Sequence, residues 1–308
     1  VLRAALPRPG IFGPAVRLGQ LLRPVLPSGL ADKLPTESSG APRPWPAKSG
    51  HARRMLALAG CVQPALAPNI NAATARVLDK LGIELFEESK AGCCGAVRFH
   101  LNDQDAARND MRRNIDAWWP HVAAGVEAIV VTASGCGVQV RDYGHALAGD
   151  ARYGEKAARI SELCRDPSEV LGAEQANLLA LLDGPRTARG KLSFHSPCTL
   201  QHGLKLRGGI EGLLTAAGYD LVPVTDGHLC CGSAGTYNIM QPEISAKLRD
   251  RKVKNIAATG AAIVATGNIG CMTQIAGGAG MPIVHTVSLL DWAYGGPEPK
   301  AFSGVQAG

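Results

Sequence analysis

The stretch "ESKAGCCGAVRFH", residues 88 to 100, sets two cysteines side by side ahead of a glycine, and the same Cys-Cys-Gly returns in "HLCCGSAGTYNIM", residues 228 to 240. Nine cysteines in 308 residues placed at random would give about a quarter of one adjacent pair. Two pairs in one context therefore require a cause, and the flanking sequence supplies it. Around each pair the chain repeats an order: apolar strand, single cysteine, helix, strand, Cys-Cys-Gly, helix, strand, single cysteine. The first unit reads "RMLALAG", Cys61, a helical pattern over 69 to 81, "IELFEE", Cys93-Cys94-Gly95, a helix from about Asp103 to Trp119, "EAIVVTAS" and Cys136. The second reads "KLSFHS", Cys198, a helix over about 208 to 217, "YDLVPV", Cys230-Cys231-Gly232, a helix from Pro242 to about Ala258, "AAIVATG" and Cys271. Both gaps from single cysteine to pair hold 31 residues, and the gaps from pair to last cysteine hold 41 and 39. Eight of the nine cysteines thus fall into register under a shift of about 137 residues.

Strands alternating with helices imply βαβ units and a parallel sheet. The expected fold is α/β, two tandem Rossmann-like cysteine-rich domains related by an internal repeat. Domain bounds are expected at 1–53 (basic extension and linker), 54–183 and 184–308, which matches the soft prior of about 130 residues per domain. In a parallel sheet all strands end at one edge, where open α/β sheets bind ligands. Each repeated cysteine lies one to seven residues beyond a predicted strand, so four thiols per half should converge at one rim, with helix N-termini close enough to favour thiolates. Asn69, Asp103 and Pro242 are suited to helix starts.

Composition narrows the function. At 46% apolar and 19% charged residues the chain should fold, and its longest apolar run, "VEAIVVTASG" at 126 to 135, falls short of the roughly 18 residues a bilayer-spanning helix needs. The net charge of +6 resides in the first 54 residues, which carry nine Lys or Arg against Asp32 and Glu37. That basic extension either docks on a partner or an anionic membrane surface, or wraps its own domain as a solvated tail. Nucleic acid is excluded as a partner class, because aromatics are 5% of the chain and no binding module accompanies the charge. Residues 31 to 53 are rich in Pro, Ser and Gly and read as a linker. Val1 and the Arg- and Pro-interrupted residues behind it show no export signal and read as a truncated start. The expected compartment is the cytoplasm, with peripheral contact at the inner face of its membrane as the open alternative.

Three explanations of the cysteines compete. Disulfides are disfavoured, since adjacent cysteines rarely pair and a cytoplasmic chain keeps its thiols reduced. Four thiolates suit tetrahedral zinc, but zinc sites usually use CxxC pairs and neither half has one, so zinc stays open for one half only. Iron–sulfur ligation is favoured, with Cys61, Cys93, Cys94 and Cys136 as one metal-binding set and Cys198, Cys230, Cys231 and Cys271 as the other. Gly95 and Gly232 would let the backbone take positive φ or approach a cluster closely. His195, His202, His100 and His228 lie near these cysteines, and hydrogen-bonded structural roles are the favoured reading of all four. Cys164, in "KAARISELCRD", reads as an unused thiol on a helix, and Trp118 and Trp119 read as packing residues that end a helix ahead of Pro120. The glycines of "GLLTAAGYD" and "GGAGMP" lack the G-x-G-x-x-G spacing after a strand, so flavin or NAD binding by this chain is not expected.

The repeated Cys, Cys-Cys-Gly, Cys pattern resembles the cysteine-rich domain found twice in heterodisulfide reductases, in the anaerobic glycerol-3-phosphate dehydrogenases and in glycolate oxidase iron–sulfur subunits. "GCVQPALAPNINAATARVLDKLGIE", "AGCCGAVRFHLN", "NIDAWWP", "SGCGVQVRDYG", "FHSPCTLQHG", "HLCCGSAGTYNIMQPE" and "NIGCMTQ" are most similar to the last family. The resemblance implies 4Fe-4S clusters on this chain, FAD only on a partner subunit, flavin-containing glycolate oxidase subunits as partners, and relay of electrons from glycolate oxidation toward a quinone or another acceptor, with no turnover by this chain alone. It departs from the family in two respects. The ferredoxin-like segment with two CxxCxxCxxxCP runs is missing from this chain. Gln139 and Gln274 stand where the wider family often places a fifth cysteine, which argues against five-ligand noncubane clusters and against chemistry of the heterodisulfide reductase type. Lactate and glycerol-3-phosphate systems and a zinc-stabilised scaffold remain the alternatives.

Overall fold

A computed structural model describes residues 2–26, 43–47, 50–182 and 188–302. Most of the expected linker and the expected boundary between residues 183 and 184 lie outside the described residues.

Each half builds one four-stranded parallel sheet. In the first, β1 (Arg53–Ala57), β2 (Ile83–Glu87), β3 (Ala128–Val130) and β4 (Cys164–Arg165) lie in the order β2-β1-β3-β4. In the second, β5 (Lys191–His195), β6 (Asp220–Val222), β7 (Ile263–Thr266) and β8 (Ile283–His285) repeat that order as β6-β5-β7-β8. Ala57 pairs with Val130 as Phe194 pairs with Ala265, so the repeat holds at the level of register.

The outer strands β4 and β8 have no counterpart in the sequence reading. They are two and three residues long, too short for periodicity to reveal. Cys164 accordingly opens a strand instead of sitting on a helix, which ends at Leu163. The helix Gln104–Ala123 runs through Pro120 instead of stopping before it. Its Pro lies in the last turn, so one backbone hydrogen bond is lost, while buried Ala117 and Trp118 hold that turn in the core. β3 stops at Val130, and the expected strand residue Ser134 starts the helix Ser134–Arg141.

The halves are joined by an exchange of helices. The helix after β8, Thr286–Ala293, packs on the first helix of the first half, Asn69–Asp79, and the helix after β4, Pro167–Ala173, packs on the corresponding helix of the second half, Gly209–Ala216. One apolar cluster runs through both interfaces, from Met55, Val77 and Leu78 to Val170, Leu213, Val287 and Leu290. Polar groups fix the relative placement. Arg76 grips Asp291 through Nε and Nη2, the latter at 2.6 Å, and His285 Nε2 lies 2.9 Å from the Thr132 carbonyl. His285 Nδ1 accepts from Val287 N, which leaves Nε2 to donate. Burial draws its pKa down to about 4. The matching residue of the first half, Asp166, caps its helix through Ser168 N, and burial pushes it up to about 6.

Helices Leu2–Ala5 and Pro9–Leu22 of the basic extension lie against the first half. Val16 is buried, Gly13 approaches Ala65, and Arg98 donates to the Arg3 carbonyl. Ile11, Leu18, Leu21 and Val25 remain exposed.

Candidate metal centres

Each cysteine set is assembled at the C-terminal rim of its sheet by three connections. In the first half Cys61 follows β1, Cys93 and Cys94 lie between β2 and the helix Ala96–His100, and Cys136 occupies the first turn of Ser134–Arg141. In the second, Cys198 follows β5, Cys230 and Cys231 lie beyond β6, and Cys271 occupies the first turn of Ile269–Ala276. The repeat of the sequence is thus a repeat in space. The side chains of Cys61, Cys93, Cys94 and Cys136 form a chain of neighbouring thiols. In the second set Cys198 Sγ lies 3.9 Å from Cys230 Sγ, and Cys231 Sγ lies 3.3 Å from Cys271 Sγ. All nine cysteines are free, and these separations far exceed the roughly 2.05 Å of a disulfide.

The glycine after each pair is required by geometry. Gly95 has φ +94° and Gly232 has φ +89°. A Cβ on Gly95 would come within 3.1 Å of the Ala107 carbonyl, and one on Gly232 within 2.5 Å of the Ser245 carbonyl. With that turn, the amide of Gly95 lies 3.5 Å from Cys93 Sγ and the amide of Gly232 lies 3.3 Å from Cys230 Sγ. Backbone donors aimed at sulfur favour the thiolate.

The charge states follow from this crowding. Cys93 is held far below the ordinary thiol range by donation from Cys61, then by Cys94, by the Gly95 amide and by the Arg113 charge. Cys61 and Cys94 are pushed up, because each keeps its proton beside a thiolate. The second half repeats the pattern: Cys230 is lowered by Cys198, by Cys231, by the Gly232 amide and by His195, while Cys198 and Cys231 are raised. Cys271 is also lowered, to about 6, first by Cys231 and then by His195. Several thiols sharing protons at one point is a state that a cation relieves, since metal replaces protons as the counter-charge. The donor set therefore fits the metal and iron–sulfur chemistry expected from the sequence. Cys164 stands apart: it is buried, its sulfur faces the Gly137 carbonyl, and burial pushes it to about 12.

The supporting side chains differ between the halves, and of them Asn114, Tyr143, Arg113 and Lys252 were not singled out by the sequence. In the first, Asn114 donates to the Cys93 carbonyl at 2.9 Å and to Tyr143 Oη at 3.0 Å, Tyr143 donates to the Cys94 carbonyl, and Asn114 Oδ1 receives the Gly92 amide. Arg113 adds a bond to the Cys93 carbonyl and, with Arg98, pairs with buried Asp110. Near Cys61 in the chain, the buried side chains of Gln63, Asn71 and Thr132 form a second network that Glu87 joins from the surface. In the second half the helix Pro242–Ala257 instead brings Lys252, 1% exposed, whose Nζ bonds the Asp226 carbonyl and whose charge faces Cys231 and Cys230. His195, at the end of β5, places a ring nitrogen, Cys231 Sγ and Cys271 Sγ within 4.8 Å of one another. Of the other histidines flagged near the cysteines, His202 bonds the His228 carbonyl at the surface and His100 stacks edge-on with Phe99. Gln274 bonds Ser245 Oγ and Asn238, and Gln139 is buried.

Two thiol-lined centres on a duplicated α/β frame define the class, and sequence comparison agrees. A family model described as a cysteine-rich domain matches twice, over residues 55–141 and 192–276. The chain is 47% identical over 295 residues to the glycolate oxidase iron-sulfur subunit of Escherichia coli, covering 95% of this chain and 70% of that protein. It is 29% identical to the probable glycolate oxidase iron-sulfur subunit of Bacillus subtilis, covering 76% of this chain and 52% of that one. It is 25% identical to lactate utilization protein A of Geobacillus thermodenitrificans, covering 72% of this chain and 92% of that protein. The chain belongs to the cysteine-rich domain family and, within it, groups with the glycolate oxidase iron-sulfur subunits.

Proposed function

We propose that this chain is an electron-transfer subunit of a 2-hydroxy-acid oxidising complex of the glycolate oxidase type, with each half holding one redox centre. The observation that carries this reading is the pair of four-cysteine sets, each built at a sheet rim around a glycine-dependent turn. Iron–sulfur clusters supply one-electron relay when bound by such thiolates. The residues of this chain have three tasks in that relay. The cysteines hold the centre, the Gly95 and Gly232 amides and the charges of Arg113 and Lys252 offset its negative charge, and the apolar shell of Leu58, Met111 and Ile115 excludes water in the first half. Hydrogen bonds and burial of this kind set reduction potentials.

The pairing of both halves through one core favours two centres held in fixed relation. Oxidation of glycolate to glyoxylate then belongs to a flavin-bearing partner, and this chain passes the electrons toward a quinone or another acceptor. Lactate is the second candidate substrate of such a partner, favoured by the similarity to lactate utilization protein A. No helix among the described residues is long and apolar enough to cross a membrane, so contact with a membrane acceptor would run through a surface such as the basic extension.

Anaerobic purification of the full chain tests the reading. Iron and acid-labile sulfide in near equal amounts, with a visible brown colour bleached on reduction, is the expected result. A colourless protein carrying zinc in both halves would replace the relay with a scaffold, and turnover of glycolate by the chain alone would contradict its dependence on a flavin partner.

A further inference from the structure

The two halves differ at one position in a way that bears on the ligand set. Under the 137-residue shift His195 corresponds to Leu58, and both side chains are buried at the end of the central strand of their sheet, 2% and 3% exposed. An apolar residue serves that place in the first half. In the second, the protein puts an imidazole into the interior, where a polar ring costs stability unless it is engaged. Its Nε2 is buried with no hydrogen-bond partner among the described residues, and a ring nitrogen lies within 4.8 Å of both Cys231 Sγ and Cys271 Sγ. His195, Cys231 and Cys271 are the one trio of metal-ligating side chains among the described residues to converge this closely.

Two other polar side chains of this half are occupied, while the Thr266 hydroxyl on the strand position paired with His195 is, like the ring, buried without a partner among the described residues. Gln274 spends its amide on Ser245 and Asn238, and Lys252 spends its ammonium on the Asp226 and Gly227 carbonyls. A neutral imidazole is a competent ligand for iron and zinc. We infer that His195 is a metal ligand of the second centre, which is therefore a mixed cysteine–histidine site, whereas the first is an all-cysteine site. This rests on the reading of the halves as redox centres. With His195 as a ligand, one of the four cysteines of the second set is released from the cluster, which then carries one thiolate charge fewer and a higher potential, as in centres where histidine substitutes for cysteine. The second centre is then the higher-potential member of the pair, and electrons entering at the first run toward the second.

The test uses the full chain, anaerobically purified with 15N-labelled histidine and partly reduced. Pulsed electron paramagnetic resonance should show one strongly coupled imidazole nitrogen on one of two centres. That coupling should vanish in His195→Leu, which installs the residue of the first half, while the other centre is unchanged. His195→Cys should keep the second centre's iron and lower its midpoint potential, which guards against a leucine variant that loses its metal. Wild-type iron with no directly coupled nitrogen, a coupling that survives in His195→Leu, or a midpoint unmoved in His195→Cys would overturn the assignment and leave the relay standing. A chain without iron and sulfide would overturn both.

Discussion

The two cysteine-rich halves share strand order, register and the spacing of their thiols, yet they surround those thiols differently. The first set is the more enclosed: Cys61, Cys93 and Cys94 are buried, only Cys136 is partly exposed, and Asn114, Tyr143 and Arg113 lock the carbonyls of the paired cysteines. The second is more open, with Cys198 and Cys230 partly exposed, and it is flanked by a buried lysine and histidine in place of the amide and phenol. The exposed Ile239, Met240 and Ile244 lie just beyond the second pair in the chain. The difference teaches that the repeat fixes where the sulfurs go, while the second layer of side chains fixes how each centre is charged and how closely another molecule can approach it.

The largest effect should come from the joint between the halves. One interface carries a buried ion pair and the other, formed by Val170, Leu171, Ile210 and Leu213, is apolar. Arg76→Met leaves Asp291, 2% exposed, without its partner, and should cost about 3–5 kcal/mol in denaturant unfolding. An equally buried Leu213→Ala at the apolar joint should cost about 2–4 kcal/mol by the cavity it leaves, and the order of the two checks whether the ion pair dominates.

The glycine turns should separate next. Gly232→Ala meets the Ser245 carbonyl at 2.5 Å, against 3.1 Å to the Ala107 carbonyl for Gly95→Ala. The first should lose about 3 kcal/mol and its half's metal, and the second about 1–2 kcal/mol. Thermal unfolding with metal analysis reads both, and equal losses would mean the two turns are not as different as their surroundings.

Smaller and opposite in sign are the pH effects at the matched caps. His285 stays neutral in the fold down to about pH 4, whereas an unfolded histidine takes its proton near 6.5. Wild type should therefore lose stability relative to His285→Gln as pH falls from about 6.5 to 4, by roughly 2–3 kcal/mol at most. Asp166, pushed up to about 6, binds its proton in the fold before the unfolded chain does. Wild type should gain relative to Asp166→Asn over the fall from about 6 to 3.8. Parallel slopes in the two variants would contradict the assigned environments.

The smallest effect concerns the extension, whose helices pack on the first half through Val16 and Arg3. Changing Arg3, Arg8, Arg17 and Arg23 to glutamate should weaken association with a partner complex or an anionic surface in a salt-sensitive manner, with iron content unchanged. Unaltered binding at low salt would make the extension a wrap for its own domain.

Much of this architecture was legible in the sequence because it rests on local, repeated signals. Apolar strand runs, the two Cys-Cys-Gly turns and the constant gap of 31 residues each constrain the backbone over a few residues, and parallel-sheet topology does the rest. What escaped depends on contacts distant in the chain. β4 and β8 exist because β3 and β7 offer open edges to very short segments. The Gln104–Ala123 helix passes Pro120 because Trp118 is anchored in the core. The convergence of His195 with Cys231 and Cys271 was not legible, because only folding brings Cys271, 76 residues away in sequence, against that ring. Tyr143 and Asn114 carry no motif at all, and their role is visible only where they meet the Cys93 and Cys94 carbonyls.

The central claim, two separate centres on one duplicated frame, is tested most directly by counting iron per chain in half-specific serine variants. Cys61→Ser or Cys136→Ser should remove one centre's iron and spare the other, Cys198→Ser or Cys271→Ser should do the reverse, and Cys164→Ser should change nothing, since that thiol is turned to the Gly137 carbonyl. Loss of all iron from a substitution in either half, or loss of iron in Cys164→Ser, would contradict it.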